Sequence, residues 1–387
     1  MKTLAELRSE IDAVDKRLRE LFLKRMEISR NVASVKLEEA LPVFRPEREA
    51  EILPRFLADA DSYERSYLAS CYQALLRASR AYQYRYQEEQ GASCPVTQTI
   101  QNAPHALGAP RAVCFQGITG SWSSIAARRM YPEAERIACA SFAGVFEAVR
   151  TERAQIGVVP IDNTTAGTVN DVYDLLVEND FAINRAVSFP IRHCLLGLPG
   201  ARREDIRVVF SHPQALSQCA EHIHALGAEA RQETNTAVAA RRIAQSGILH
   251  LGAIASPETA ALYGLSILDD AFQDAPCNQT RFLSISRALT VPRDANRISL
   301  AFGAPNVAGS LAGVLSVFAD NGLSLTKIMS RPMPEHPWEY IFYVDCEIKI
   351  DNPCLYAVLY QLSSELPWLK LLGCYREETL SGDSEQG

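Results

Sequence analysis

Residues 3–36 read TLAELRSEIDAVDKRLRELFLKRMEISRNVASVK, and their spacing decides the fold of the first domain. Apolar side chains recur at Leu4, Leu7, Ile11, Val14, Leu18, Leu21, Ile28, Val32 and Val35. That alternation of three and four is the seam of one long helix that packs lengthwise on another. Thr3 and Glu6 have capping-box spacing at its start. Pro42 predicts a stop before it, because its ring cannot continue a helix. One position breaks the seam: Arg25 stands where an apolar residue belongs. A guanidinium there is costly unless an anion pairs with it. The anion is either an acidic side chain on a partner helix or a carboxylated small molecule. Arg25 and Lys36 are ~16 Å apart along the axis, within reach of one ligand, whereas Arg8 and Arg25 are ~25 Å apart. An antiparallel helix from a second copy brings its own Arg8 beside Arg25, so the spacing predicts a helical dimer with shared sites.

Working outward, residues 47–58 and 66–86 are predicted helices, and three helices fill a domain over 1–88. Residues 89–110, rich in Gln, Ala, Pro and Asn without periodicity, are predicted to be a linker. From 111 to 290 short β-rich runs (112–115, 156–161, 187–191, 207–210, 249–253 and 282–286) alternate with helical stretches, the pattern of an α/β domain. Loops just past strand ends, at 117–124, 162–168, 211–214 and 278–281, are rich in small hydroxyl and amide residues. Ligands of open α/β sheets bind at strand carboxyl ends, where helix N-termini favour anions. Ser121 and Ser211 are candidate N-caps there; four such loops together predict a small-anion cleft. Residues 296–378 read strand, helix, strand, strand, helix, strand, the βαββαβ ferredoxin-like plan. The polar stretch 379–387 is expected to be a disordered tail.

The 387 residues carry a net charge of −7, with 47% hydrophobic and 22% charged residues. This balance gives no reason to expect nucleic acid, and no basic tract appears. The first residues contain no apolar signal region, and no apolar run is long enough to span a bilayer. A cytoplasmic protein that uses no membrane is therefore expected. The ten cysteines are scattered and read as reduced thiols. No metal-ligand spacing appears; His222 and His224 read as helix-surface residues, and neither a metal nor a cofactor is assigned.

Four motifs follow one another in the middle of the chain: Val158-Val-Pro-Ile-Asp-Asn-Thr164, Asn170-Asp-Val-Tyr-Asp-Leu-Leu176, Ser211-His-Pro-Gln214 and Thr280-Arg-Phe282. With them, nearly the whole chain resembles the bifunctional chorismate mutase–prephenate dehydratase family. The resemblance implies a multidomain protein of three parts. These are an all-α mutase domain forming an intertwined dimer or higher homo-oligomer, a two-lobed α/β dehydratase domain like periplasmic binding proteins, and a ferredoxin-like ACT domain. It implies chorismate and prephenate as substrates and L-phenylalanine as effector. In the mutase site, Arg8 from a second subunit and Arg25 would clamp two carboxylates. Lys36 and Gln83 would donate to the ether oxygen as the C–O bond breaks. Arg48 and Glu49 would lie beside the substrate hydroxyl and Ser79 would line the pocket. Arg45 stands where some members have an acid.

In the dehydratase site the resemblance makes Thr280 catalytic, with Asn163, Thr164, Ser211, Gln214 and Gln218 as polar contacts. Arg281 would either bind a substrate carboxylate or order its loop. Residues 233–237 match a small hydroxyl turn. For the effector, Gly309, Ser310 and Leu311 match one binding loop and Ser330, Arg331 and Pro332 the other, with Met329 replacing a glutamate. A structural dimerisation module is the alternative for that last domain. Two other readings of the whole chain stay open: a dehydratase whose helical domain is only a dimerisation arm, and a non-catalytic ligand sensor.

Overall fold

The computed structural model describes residues 2–275, 277–333 and 339–380. The chain divides into two compact units, one of residues 1–102 with 299–371, the other of 103–298 with 372–387. The first begins with four helices: α1 (Leu4–Glu38), α2 (Pro46–Phe56), α3 (Glu64–Glu89) and α4 (Pro95–Asn102). The Thr3 hydroxyl accepts the Glu6 amide while the Glu6 carboxylate takes the Thr3 N–H, completing the predicted capping box. Helix α4 lies inside the stretch expected to be a linker. Thr97 and Ile100 are buried there, and those two contacts fix a segment that has no periodicity long enough to register.

Within the first unit α3 does not pack on the heptad seam. It covers a neighbouring stripe of α1, burying Met26, Ser29 and Ala33. The seam stays open: Leu4, Leu7, Ile11, Val14, Leu18 and Leu21 are 44–64% exposed.

The second unit alternates strand and helix. Its first lobe holds β1 (Ala112–Gln116), α5 (Trp122–Met130), β2 (Glu135–Cys139), α6 (Phe142–Arg150), β3 (Ile156–Asn163), β4 (Gly167–Thr168), α7 (Asn170–Glu178) and β5 (Ala182–Pro190). The chain then crosses to a second lobe of β6 (Cys194–Gly197), β7 (Val208–Ser211), α8 (Pro213–Ser217), α9 (Ala220–Leu226), β8 (Glu229–Gln232), α10 (Thr236–Ser246), β9 (Leu251–Ala255), α11 (Pro257–Tyr263) and β10 (Ser266–Asp269). It returns through β11 (Gln279–Ser286), which lies antiparallel between β3 and β5. The second lobe's sheet runs β10-β6-β9-β7-β8. Each lobe has its own apolar centre, around Phe115, Ile156, Phe189 and Phe282 in the first and around Phe210, Ile243, Ala253 and Ile254 in the second.

The ACT segment follows: β12 (Arg297–Gly303), α12 (Ser310–Asp320), β13 (Ser324–Pro332), β14 (Tyr340–Glu347), α13 (Pro353–Glu365) and β15 (Trp368–Thr379). This is the predicted βαββαβ order, and its strands run β13-β14-β12-β15. From Leu372 on, β15 belongs to the second unit, where it pairs in parallel with β5 and places Glu377 opposite Ala186. Gly373 is required for that approach, because a Cβ there would collide with the Ile183 carbonyl. Thr379 ends this strand, and the Leu380 amide donates to Ser188 at 2.8 Å. Those two residues of the expected tail are therefore part of the sheet, and 381–387 lie outside the described residues. No helix among the described residues is long and apolar enough to cross a membrane.

Candidate active sites

The first unit contains a cavity of about 430 Å³ lined by Arg25, Lys36, Arg48, Glu49, Ser79 and Gln83, together with Arg45, Arg80 and apolar Ile28, Val32 and Val43. Six of the seven side chains assigned to the mutase site thus meet in one place. Arg25 sits on the open seam, and its guanidinium donates to the Ser79 hydroxyl, which itself donates to Leu75 O at 2.7 Å. Within this chain no described acid forms an ion pair with Arg25, whose guanidinium instead faces the cavity and Ser79. Lys36 Nζ donates to Val43 O at 2.7 Å and to Gln83 Oε1 at 3.2 Å. One ammonium N–H and the Gln83 amide N–H₂ stay available for a ligand. Arg8 is not in the cavity. It lies on the exposed first half of α1, as the ~25 Å separation from Arg25 requires.

Burial holds the Lys36 ammonium below the usual lysine range, the Arg45 guanidinium pushes it further down, and the Glu49 carboxylate opposes both. If Lys36 works as a cation, activity at this site falls on the alkaline side as that proton leaves, earlier than an exposed lysine dictates. Removing the neighbouring cation with Arg45→Ala should move this alkaline limb to higher pH. Profiles of rate against pH for both proteins check it, and an unmoved limb would disconnect Lys36 from the titration.

The second unit holds a cavity of about 450 Å³ with walls from both lobes, at the two chain crossings between them. There Ile191 N donates to Asn278 O at 2.7 Å and Phe272 N to His193 O at 3.0 Å. Asn163, Gln214, Gln218 and Thr280 line it, as do Thr234, Asn235 and Thr236 of the predicted hydroxyl turn. The strand register puts Thr280 opposite Asn163 on β3 and Phe189 on β5. Asn163 Oδ1 accepts from Thr165 N (3.0 Å) and Ala166 N (2.8 Å), which turns its Nδ2 toward Thr280 Oγ1 at 2.8 Å and Asn278 Oδ1 at 2.7 Å. Since Nδ2 can only donate, Thr280 Oγ1 accepts from it and keeps its own proton for donation elsewhere.

Gln218 fixes the next group. Its Oε1 accepts from Asn278 Nδ2 at 3.1 Å and lies 2.9 Å from His193 Nε2. As that oxygen is an acceptor, the His193 proton sits on Nε2. Burial lowers the pKa of His193 against the raising effect of Gln218, so the ring is neutral at neutral pH. No lysine or arginine is among the described residues lining this cavity. Positive potential comes instead from the N-termini of α5, capped by Ser121, and α10, capped by Asn235.

Three assigned dehydratase contacts lie elsewhere. Ser211 ends β7 fully buried, and its hydroxyl donates to Ile254 O at 2.7 Å; His212, not Ser211, caps α8. The Thr164 hydroxyl accepts Gln279 N at 2.9 Å and so ties the strand ends together. Arg281 follows Thr280 on a strand, where successive side chains alternate faces. It points away from the cavity, its Nε 2.8 Å from Glu377 and its Nη2 donating to Tyr375 Oη at 2.8 Å. Of the two roles open to it, ordering the loop fits this position. Conversely, Trp122, His193, His212 and Phe282 line the cavity without having been singled out for it. The Thr-Arg-Phe and Ser-His-Pro-Gln motifs contained two of them, while His193 is fixed by Gln218, which no local pattern links to it. In the ACT segment Gly309 caps α12 with φ 84°, Ser310 and Leu311 open that helix, and Ser330, Arg331 and Pro332 end β13.

Comparison with known proteins agrees with this division. Residues 113–289 match the prephenate dehydratase family, 7–84 chorismate mutase type II and 298–360 the ACT domain. A bifunctional chorismate mutase/prephenate dehydratase of Escherichia coli (strain K12) is 30% identical over 386 residues, which cover 97% of each chain. Arogenate dehydratase/prephenate dehydratase 1, chloroplastic, of Arabidopsis thaliana is 36% identical over 279 residues, 68% of this chain and 71% of that one. The crystal structure of a prephenate dehydratase from Arthrobacter aurescens in complex with L-Phe is similar at TM-score 0.63 and 27% identity, covering 68% of this chain and 89% of that one. A relative aligned from end to end, and three family matches in the same order as the two cavities and the βαββαβ segment, place the chain in the bifunctional chorismate mutase/prephenate dehydratase family, with an ACT domain following the two enzymatic domains.

Proposed function

We infer that the protein makes phenylpyruvate from chorismate in two steps of phenylalanine biosynthesis, one in each cavity. The observation that carries this reading is the pair of separate, chemically distinct cavities: one rich in cations, the other built of hydroxyls, amides and helix N-termini.

Chorismate rearranges to prephenate by a pericyclic shift that needs no nucleophile. It needs a compact conformer and stabilisation of the charge that develops on the ether oxygen. Arg25 grips one carboxylate, Lys36 and Gln83 donate to the ether oxygen, and Glu49 with Arg48 faces the hydroxyl. The second carboxylate takes Arg8 of another copy, because this chain's own Arg8 is out of reach. The open heptad seam supports that assembly, since a stripe of six exposed apolar residues on a long helix marks an association surface.

Mixing Arg8→Ala with Arg25→Ala protein should restore mutase activity. In a symmetric dimer each mixed pair has one intact site, so random exchange returns about a quarter of wild-type sites. No recovery from demonstrably mixed dimers would sink the shared pocket.

In the second cavity prephenate loses its ring carboxylate as carbon dioxide. The electron pair of that bond enters the ring, which becomes aromatic as the C4 hydroxyl departs. The leaving oxygen must gain a proton to leave as water. Thr280, whose hydroxyl accepts from Asn163 and has its proton free, hydrogen-bonds the departing hydroxyl and relays that proton. The helix N-termini of α5 and α10 hold the substrate anion.

L-phenylalanine binds the ACT domain at Gly309, Ser310 and Leu311 and at Ser330, Arg331 and Pro332, and inhibits the dehydratase. The L-Phe complex of the Arthrobacter relative supports this effector. The ten cysteines, all free thiols, suit a cytoplasmic location.

A further inference from the structure

Arg80 lines the first cavity but belongs to none of the roles above. Its guanidinium stacks over the Phe44 ring at 4.9 Å. From there it bridges two acids: Nε donates to Glu365 Oε1 at 2.8 Å, and Nη1 donates to Glu49 Oε1. Glu49 is the one acidic side chain among the described residues lining that cavity. Glu365 is the last residue of α13, in the ACT segment, and Gln361 Nε2 steadies it at 3.1 Å. The side chains of Arg80 and Glu365 are only 15% and 16% exposed. An ion chain this well covered is held in one geometry far more firmly than a surface pair.

We propose that Glu365 is a positioning residue of the mutase site, acting through Arg80 on Glu49. The proposal rests on the mutase reading of that cavity. Glu365 occupies the Nε edge of the guanidinium, so Nη1 stays directed at Glu49 Oε1 and Glu49 Oε2 is left to receive the substrate hydroxyl. Without Glu365, the Arg80 guanidinium is tethered only to Glu49 and turns with it. Glu49 then loses its fixed orientation. A helix of the ACT segment, on this view, braces the mutase site from behind, through a residue that does not itself line the cavity.

The test uses the full-length protein and measures chorismate and prephenate turnover on the same samples. Glu365→Gln keeps the size and removes the charge. Arg80→Lys keeps a charge but, as a point cation, cannot bridge two carboxylates in one plane. Each should lower mutase kcat/KM by about tenfold while dehydratase turnover stays at the wild-type value, the scale expected for loss of one oriented charge contact. The decisive reading is the double variant with Glu49→Gln. If Glu365 acts through Glu49, adding Glu365→Gln to Glu49→Gln costs nothing further. Equal losses in both backgrounds, or a lowered melting temperature with unchanged mutase kcat/KM, would reduce Glu365 to a structural role and overturn the proposal. A wild-type protein without mutase activity would overturn the mutase reading itself, and this proposal with it.

Discussion

Lys36→Ala should cut mutase turnover by a factor of several hundred and leave dehydratase turnover unchanged. The half-buried ammonium spends two N–H groups on Val43 O and Gln83 Oε1, so the third is free for the ether oxygen. Negative charge grows on that oxygen only as the C–O bond breaks, so the contact is stronger in the transition state than in the ground state. Losing such a donor costs ~3–4 kcal/mol, and the loss should fall on kcat more than on KM. Structural damage should be small, because Val43 lines the cavity, where water can take the place of the lost ammonium. Following chorismate consumption and, separately, phenylpyruvate formation from added prephenate checks the claim. Loss of both activities in a folded protein would break the assignment of one reaction to each cavity.

Thr280→Ala should do the reverse, lowering dehydratase turnover by about 10²–10⁴, the range for removal of a positioned proton donor, with mutase turnover intact. Asn163 explains why the effect is chemical. When the threonine hydroxyl is removed, Asn163 Nδ2 keeps Asn278 Oδ1 at 2.7 Å and Gln279 O at 3.1 Å as acceptors. No buried N–H is orphaned, and the strand register holding residue 280 opposite Asn163 is carried by backbone bonds. Thr280→Ser, which restores a hydroxyl on the same Cβ, should recover much of the rate. A serine variant as dead as the alanine variant would mean that the methyl group, and not the proton, matters.

How far the chain can be read without its structure depends on how local each signal is. The heptads, the capping box and the polar residue on the seam all lie within one helix, so α1 and the meeting of Arg25 and Lys36 in one cavity are legible. Thr280 and Gln218 stand in or near short motifs, and both line the second cavity. Ser211 and Thr164 show the limit. A hydroxyl at a strand end serves a ligand or the fold equally well, and only the Ile254 and Gln279 partners show that these two hydroxyls are engaged within the fold. Helix α4 escaped because its two buried residues make no period. Arg281 could not be assigned because its carboxylate partner, Glu377, lies nearly a hundred positions away, as Glu365 does from Arg80 across an even longer stretch. Ion pairs between distant segments leave no mark on sequence spacing.

The placement of residues 372–379 beside β5 affects how a nascent chain reaches its final form. The ribosome emits β5 at residue 190, yet the strand that covers its edge follows only after the whole ACT segment. At ordinary translation speeds that gap is roughly 10–40 s. Through it β5 presents unpaired backbone groups, the kind of rim onto which other polypeptides add, and Arg281 and Arg297 wait for Glu377. Newly made protein is therefore open to mispairing at this rim until synthesis is nearly complete, and a stalled or prematurely released chain would carry it permanently.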